Sequence, residues 1–138
     1  MPKLTIGVEG LTFDAAHYTK GVSDKCLNIH GHTFRVDVEV EGEVTPDTGM
    51  VIDFDIVKKA VSEVIKEFDH KLIIPAKDYD KITLKGPFNK GIKVIEYSEA
   101  TTEYIALEIA KELYGKLRMP VKVKVYEGRR NYVIAEWR

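Results

Sequence analysis

The chain has 138 residues, 44% of them hydrophobic and 31% charged, with 21 basic against 22 acidic side chains. That length and apolar share suit a single domain, residues 1–138, with its own core. The near-neutral balance supplies no strong field for nucleic acid or an anionic membrane, and no run approaches the ~20 apolar residues that span a bilayer. With no basic segment leading into an apolar stretch at the N-terminus, the expectation is a soluble, cytoplasmic protein.

Leu4, Ile6 and Val8 alternate with polar neighbours, and the parity then changes to Leu11, Phe13, Ala15 and His17, as one extra residue near Gly10 would cause. This predicts a bulged strand. Residues 32–40 alternate strictly, His32, Phe34, Val36, Val38 and Val40 against Thr33, Arg35, Asp37 and Glu39, which predicts a half-buried partner strand. The connection over 18–29 is longer than a tight turn and holds the one cysteine, Cys26.

Between Asp53 and Phe68, apolar residues recur at three- and four-residue steps behind Asp53 as N-cap, which predicts an amphipathic helix. A second helix is predicted from about Thr101 to Leu117, with Gly115 and Pro120 bracketing its exit. Val121, Val123 and Val125 make an inward stripe that Glu127 continues, and Tyr132–Trp137 forms a matching last strand. Residues 71–97 carry two prolines, Gly86 and Gly91, and read as a small hairpin on a loop. The order is two strands, two helices, two strands: an α+β domain with both helices on one face of a four-stranded antiparallel sheet. Its unsatisfied sheet edges invite neighbouring subunits, so oligomerisation is expected.

Four groups of residues carry chemistry. His30 and His32 project from one side of a strand, and His17 ends the partner strand, so three imidazoles can share one ion and leave a tetrahedral position open. Ordinary polar histidines at strand ends are the alternative. Cys26 lies four residues before His30, where a nearby cation would favour the thiolate and make it a candidate base, against the plainer reading of a buried filler. Asp69 and His70 could form a carboxylate-oriented imidazole, provided the helix end is irregular enough to let neighbours meet; a favourable helix terminus is the alternative. Glu127, a carboxylate on a valine face, must pair, bind a donor-rich ring edge or stay protonated.

Phe13-Asp-Ala-Ala-His17, Cys26-Leu-Asn-Ile-His30-Gly-His32 and Asp69-His70, in this order, resemble the 6-pyruvoyl-tetrahydropterin synthase family, which includes the 6-carboxy-tetrahydropterin synthases. Thr101-Thr102-Glu103 is similar to that family's second-helix motif, with Ala100 in place of its proline and Tyr104 in place of its asparagine. The resemblance implies a tunnelling fold (T-fold) whose subunits pool their strands into a barrel, assembled as a homohexamer of two trimers. It implies zinc (Zn2+) on His17, His30 and His32, Cys26 as proton-abstracting base, Asp69 with His70 as acid-side relay, and Glu127, with Thr101, Thr102 and Glu103 nearby, on the pterin.

The implied substrate is the pterin ester 7,8-dihydroneopterin triphosphate, with no nucleic-acid or membrane partner. The short Cys26-to-His30 spacing resembles the branch forming 6-carboxy-tetrahydropterin with release of acetaldehyde and triphosphate, on the route to 7-deazaguanine nucleosides such as queuosine. Alternatives are a 6-pyruvoyl-tetrahydropterin synthase, which eliminates triphosphate from the same substrate toward tetrahydrobiopterin, and a pterin-binding T-fold protein without turnover. A related group that forms 6-hydroxymethyl-dihydropterin carries Glu at the Cys26 position and is disfavoured on that ground. Lys20 and Lys25 lie close enough in sequence to assist the phosphate chain.

Overall fold

The computed structural model describes residues 2–21 and 23–138; Val22, in the first connection, lies outside the described residues. Strands β1 (Leu4–His17) and β2 (His30–Gly42) pair antiparallel, with His17 opposite His30 and Ala15 opposite His32. The register slips between Val8 and Leu11, where Gly10 takes φ +84° and its N–H reaches the Asp37 carboxylate at 2.9 Å. That slip is the expected bulge. It transfers the inward face from even to odd positions, and so buries His17, which strict alternation from Val8 would have turned to solvent.

Helices α1 (Phe54–Lys66) and α2 (Thr102–Leu117) start where capping chemistry places them. The Asp53 side chain accepts from the Asp55 N–H, and the Thr101 hydroxyl accepts from the Tyr104 N–H. Helix α2 runs through Gly115 and ends instead at Arg118, in the left-handed region at φ 56°. Strands β5 (Val121–Glu127) and β6 (Asn131–Trp137) extend the sheet beyond β2. Phe13, Phe34, Val36, Val38 and Val123 form one core with Val57, Val61, Phe68, Ile105 and Ile109 of the two helices. Both helices therefore cover one sheet face, as expected, while Thr12, Arg35 and Lys122 leave the other exposed.

With β3 (Leu72–Pro75) and β4 (Ile92–Ile95) the sheet has six strands rather than four, in the order β4-β3-β1-β2-β5-β6. The added pair comes from the segment read as a small hairpin, yet the two run parallel to each other, and β3 runs parallel to β1. All four residues of β3 are buried, so it carries no alternation to read, and its connection to β4 is far longer than a hairpin turn. No helix among the described residues is long and apolar enough to cross a membrane.

Candidate metal centre and substrate cavity

The ends of β1 and β2 bring His17, His30 and His32 together, with one ring nitrogen of each within 4.8 Å of the others. The rings rest on Phe34, whose centroid lies 6.0 Å from His17 and 5.7 Å from His32, and Phe13 stacks beneath it at 4.9 Å. This rigid floor fixes the imidazoles through packing.

Backbone carbonyls fix the tautomers. His17 Nδ1 lies 2.7 Å from the Ala100 carbonyl and His30 Nδ1 lies 2.7 Å from the Asn28 carbonyl. A carbonyl only accepts, so each Nδ1 must carry the proton and each Nε2 presents a lone pair. Burial shifts the His17 pKa downward, outweighing the Ala100 carbonyl and Glu127, which favour the charged form. Its buried Nε2 has no hydrogen-bond partner among the described residues. Glu127 Oε1 stands 3.6 Å from Nε2 of both His17 and His32, beyond hydrogen-bond range. The buried His17 Nε2 lone pair faces a carboxylate oxygen with no donor to meet it, a place that suits a cation, and with His30 and His32 beside it the three histidines fit a metal ion.

Around this centre lies a cavity of about 740 Å³, within the usual size for small-ligand sites. Cys26, Thr101, Thr102, Glu103 and Glu127 line it with the three histidines. Cys26 belongs to a short 3-10 turn, Asp24–Leu27, pinned by a 2.8 Å bond from the Thr19 N–H to the Cys26 carbonyl. A methyl group at Gly21 would come within 2.6 Å of Cys26 Sγ, so the connection closes over the thiol only with glycine there. The buried Thr102 hydroxyl donates to Glu127 Oε1 at 2.6 Å, which sets the carboxylate rotamer. Thr101 lines the wall while its hydroxyl caps α2. Thr19, Lys25, Gly31, Asn131, Tyr132 and Val133 complete the lining.

Asp69 and His70 are not in this cavity. His70 takes φ 60°, the irregular helix exit the pair required, and its Nδ1 lies 3.0 Å from Asp69 Oδ1. The same oxygen accepts from the Asp14 N–H at 2.9 Å, and this bond, ahead of the His70 contact, holds the Asp69 carboxyl below its usual pKa. Asp14 neighbours Ala15 on β1 and therefore faces the opposite side of the sheet from His32, which pairs with Ala15. His70 lines a second, more open cavity of about 700 Å³ with Asp14, Thr33, Lys71 and Phe88.

The fold and site thus define an α+β protein with a metal-competent three-histidine centre in the wall of a ligand cavity. The chain belongs to the 6-pyruvoyl tetrahydropterin synthase family, whose model matches residues 5–137. It is 34% identical to the 6-carboxy-5,6,7,8-tetrahydropterin synthase of Rickettsia bellii, over 78% of each chain. It is 35% identical to the dihydroneopterin monophosphate aldolase of Pyrococcus furiosus, over 91% of this chain and 92% of that one. The fold matches that of 6-pyruvoyl tetrahydropterin synthase from Plasmodium vivax with a TM-score of 0.80, at 24% identity and 99% coverage of both chains.

Proposed function

We propose that this protein is a cytoplasmic, zinc-dependent lyase that converts 7,8-dihydroneopterin triphosphate to 6-carboxy-tetrahydropterin, with release of acetaldehyde and triphosphate, in a 7-deazaguanine-type pathway. The observation that carries the reading is the convergence in one cavity of a three-histidine cluster whose buried His17 Nε2 has no donor, a thiol and a rotamer-fixed carboxylate. Zinc bound by His17, His30 and His32 would polarise a side-chain oxygen of the substrate and stabilise the negative charge that develops when a carbon-bound proton leaves.

The chain's own side chains supply the remaining steps. Cys26, as thiolate, takes a proton from the pterin side chain. Glu127, held by Thr102, accepts from the N–H groups of the aminopyrimidine edge and keeps the ring still while side-chain atoms move. The tautomers set by Ala100 and Asn28 keep Nε2 of His17 and His30 aimed at the ion.

We place Asp69 and His70 in the site of a neighbouring copy within a homohexamer. Asp69 holds His70 Nδ1 at 3.0 Å while the imidazole is 79% exposed, open to a second chain to which it would act as a proton donor. The edges at β4 and β6 give such an assembly its pairing surfaces. The test is product identification with zinc-loaded protein and dihydroneopterin triphosphate. Acetaldehyde with a carboxypterin supports the reading; a pyruvoyl product without acetaldehyde, or no turnover, overturns it.

A second reading has its own support, because one relative of nearly the same length is a dihydroneopterin monophosphate aldolase. The same residues would then serve an aldol cleavage of the monophosphate, Cys26 replacing the Glu of the hydroxymethyl-forming group. Release of a hydroxymethylpterin from dihydroneopterin monophosphate, with the triphosphate left intact, favours it.

A further inference from the structure

Lysines 20 and 25 flank the same turn, but only Lys25 lines the metal-centre cavity. Its backbone is fixed there: the Ser23 hydroxyl caps the Lys25 N–H at 3.3 Å, and the Lys25 carbonyl accepts from the Asn28 N–H at 3.2 Å. Among the described lining residues it is the one lysine or arginine, set against the carboxylates of Glu103 and Glu127. The charge is also distributed along the sheet. Glu127 enters from β5, the neighbour of β2, while Lys25 enters from the connection that leads from β1 into His30 and His32.

A cavity lined by carboxylate acceptors and a single ammonium matches a ligand with a donor-rich ring edge and an anionic tail. We infer that Lys25 is the residue by which this site selects phosphate-ester pterins over unphosphorylated ones, contacting the phosphate esterified to the side chain. A single lysine is a point charge and neutralises one phosphate group, so it reads the presence of the ester and not the length of the phosphate chain. Standing beside Cys26, it also holds the esterified end next to the thiol. The inference rests on the pterin-ester reading above and names the group that reads the ester.

The experiment measures binding as well as turnover, with the same three ligands throughout: dihydroneopterin triphosphate, dihydroneopterin monophosphate and dihydroneopterin. Pterin fluorescence gives the affinities of the full-length, metal-loaded chain and of Lys25→Ala, Lys25→Arg and Lys20→Ala; steady-state assays give KM and kcat. Wild type should bind both esters more tightly than the free pterin. Lys25→Ala should weaken both esters roughly tenfold to a hundredfold and leave the free pterin unchanged, as loss of a charge-assisted hydrogen bond requires. Turnover should show this in KM with kcat nearly kept, Lys25→Arg should restore most of it, and Lys20→Ala should have no effect.

Equal losses for all three ligands, no loss for any, or no ester preference in wild type would overturn the inference. Ester-selective binding without turnover would sustain Lys25 and sink the lyase reading; turnover that Lys25→Ala leaves untouched would do the reverse.

Discussion

Strands β1 and β2 border two clusters of ionisable side chains, one on each face of the sheet, and in both the ligand atoms lie within 4.8 Å of one another. His17, His30 and His32 project from the inward face; Asp14 projects from the outward face and joins Asp69 and His70. Proximity does not distinguish them, but hydrogen bonding does. Asp14 accepts from the Thr33 hydroxyl, and Asp69 accepts from the Asp14 N–H and lies against His70 Nδ1, so the second cluster satisfies itself in the open. The first is held from behind by two carbonyls, and at its buried end the His17 Nε2 lone pair has no donor. A metal centre is marked by unmet electron pairs in a desolvated place, more than by the count of ligand types.

Breaking the inward cluster should have the largest effect. His30→Ala should reduce bound zinc from about one per chain to a small fraction, and activity should fall by three orders of magnitude or more, because the substrate oxygen loses its charge stabilisation. Metal analysis of purified protein is the check. Asp14→Asn, on the other face, should keep its metal; equal losses in the two variants would erase the distinction drawn above.

Next in size, Cys26→Ala should keep the metal and lose about a hundredfold to ten-thousandfold in kcat, the usual contribution of a positioned base. His70→Ala should likewise keep the metal and lose activity by a smaller factor, on the order of tenfold to a hundredfold. Co-refolding the two impaired variants sharpens the comparison. If the outward dyad of one copy completes the inward site of another, random mixing should restore roughly a quarter of the sites. Absence of any recovery would confine Asp69 and His70 to a structural role at the end of α1.

These differences also mark what could be read without coordinates. The inward cluster was legible because strand alternation fixes His30 against His32, and the parity change at Gly10 carries His17 to the same face. The hydrophobic period and the caps likewise located both helices. Strands β3 and β4 were not legible, since a four-residue buried run has no period and a parallel partner arrives only after a long connection. The separation of Asp69 and His70 from the metal face was hidden for another reason. Adjacent residues of β1 point to opposite sides, so nearness to His17 in the fold says nothing about sharing its cavity. Thr19, Asn131 and Tyr132 sit in the lining from a turn and a strand start, where no periodicity singles them out.

The smallest effect concerns stability at the edge strand that the sequence concealed. Along α2, Tyr104, Glu108 and Glu112 recur every four residues, and β4 with the turn after it answers with two partners. Tyr97 stacks on Tyr104 at 4.6 Å, and Lys93 pairs with Glu112 at 3.2 Å while lying 5.0 Å over the Phe68 ring. Burial pushes Glu108 up to about 7, helped by its hydrogen bond and repulsion with Glu112, with Lys93 and Lys111 opposing. The folded state therefore binds this proton more tightly than the unfolded chain. The stabilisation is complete below the ordinary carboxyl value of 4.5 and is lost as the pH rises through about 7. Discounted for the group's exposure, it amounts to about 1 kcal/mol. Denaturant unfolding between pH 5 and 8, at fixed metal load, should show a decline in stability that Glu108→Gln flattens, because the amide keeps a donor toward Glu112 without titrating. An unchanged slope in that variant would mean that the clasp between β4 and α2 does not depend on the Glu108 proton.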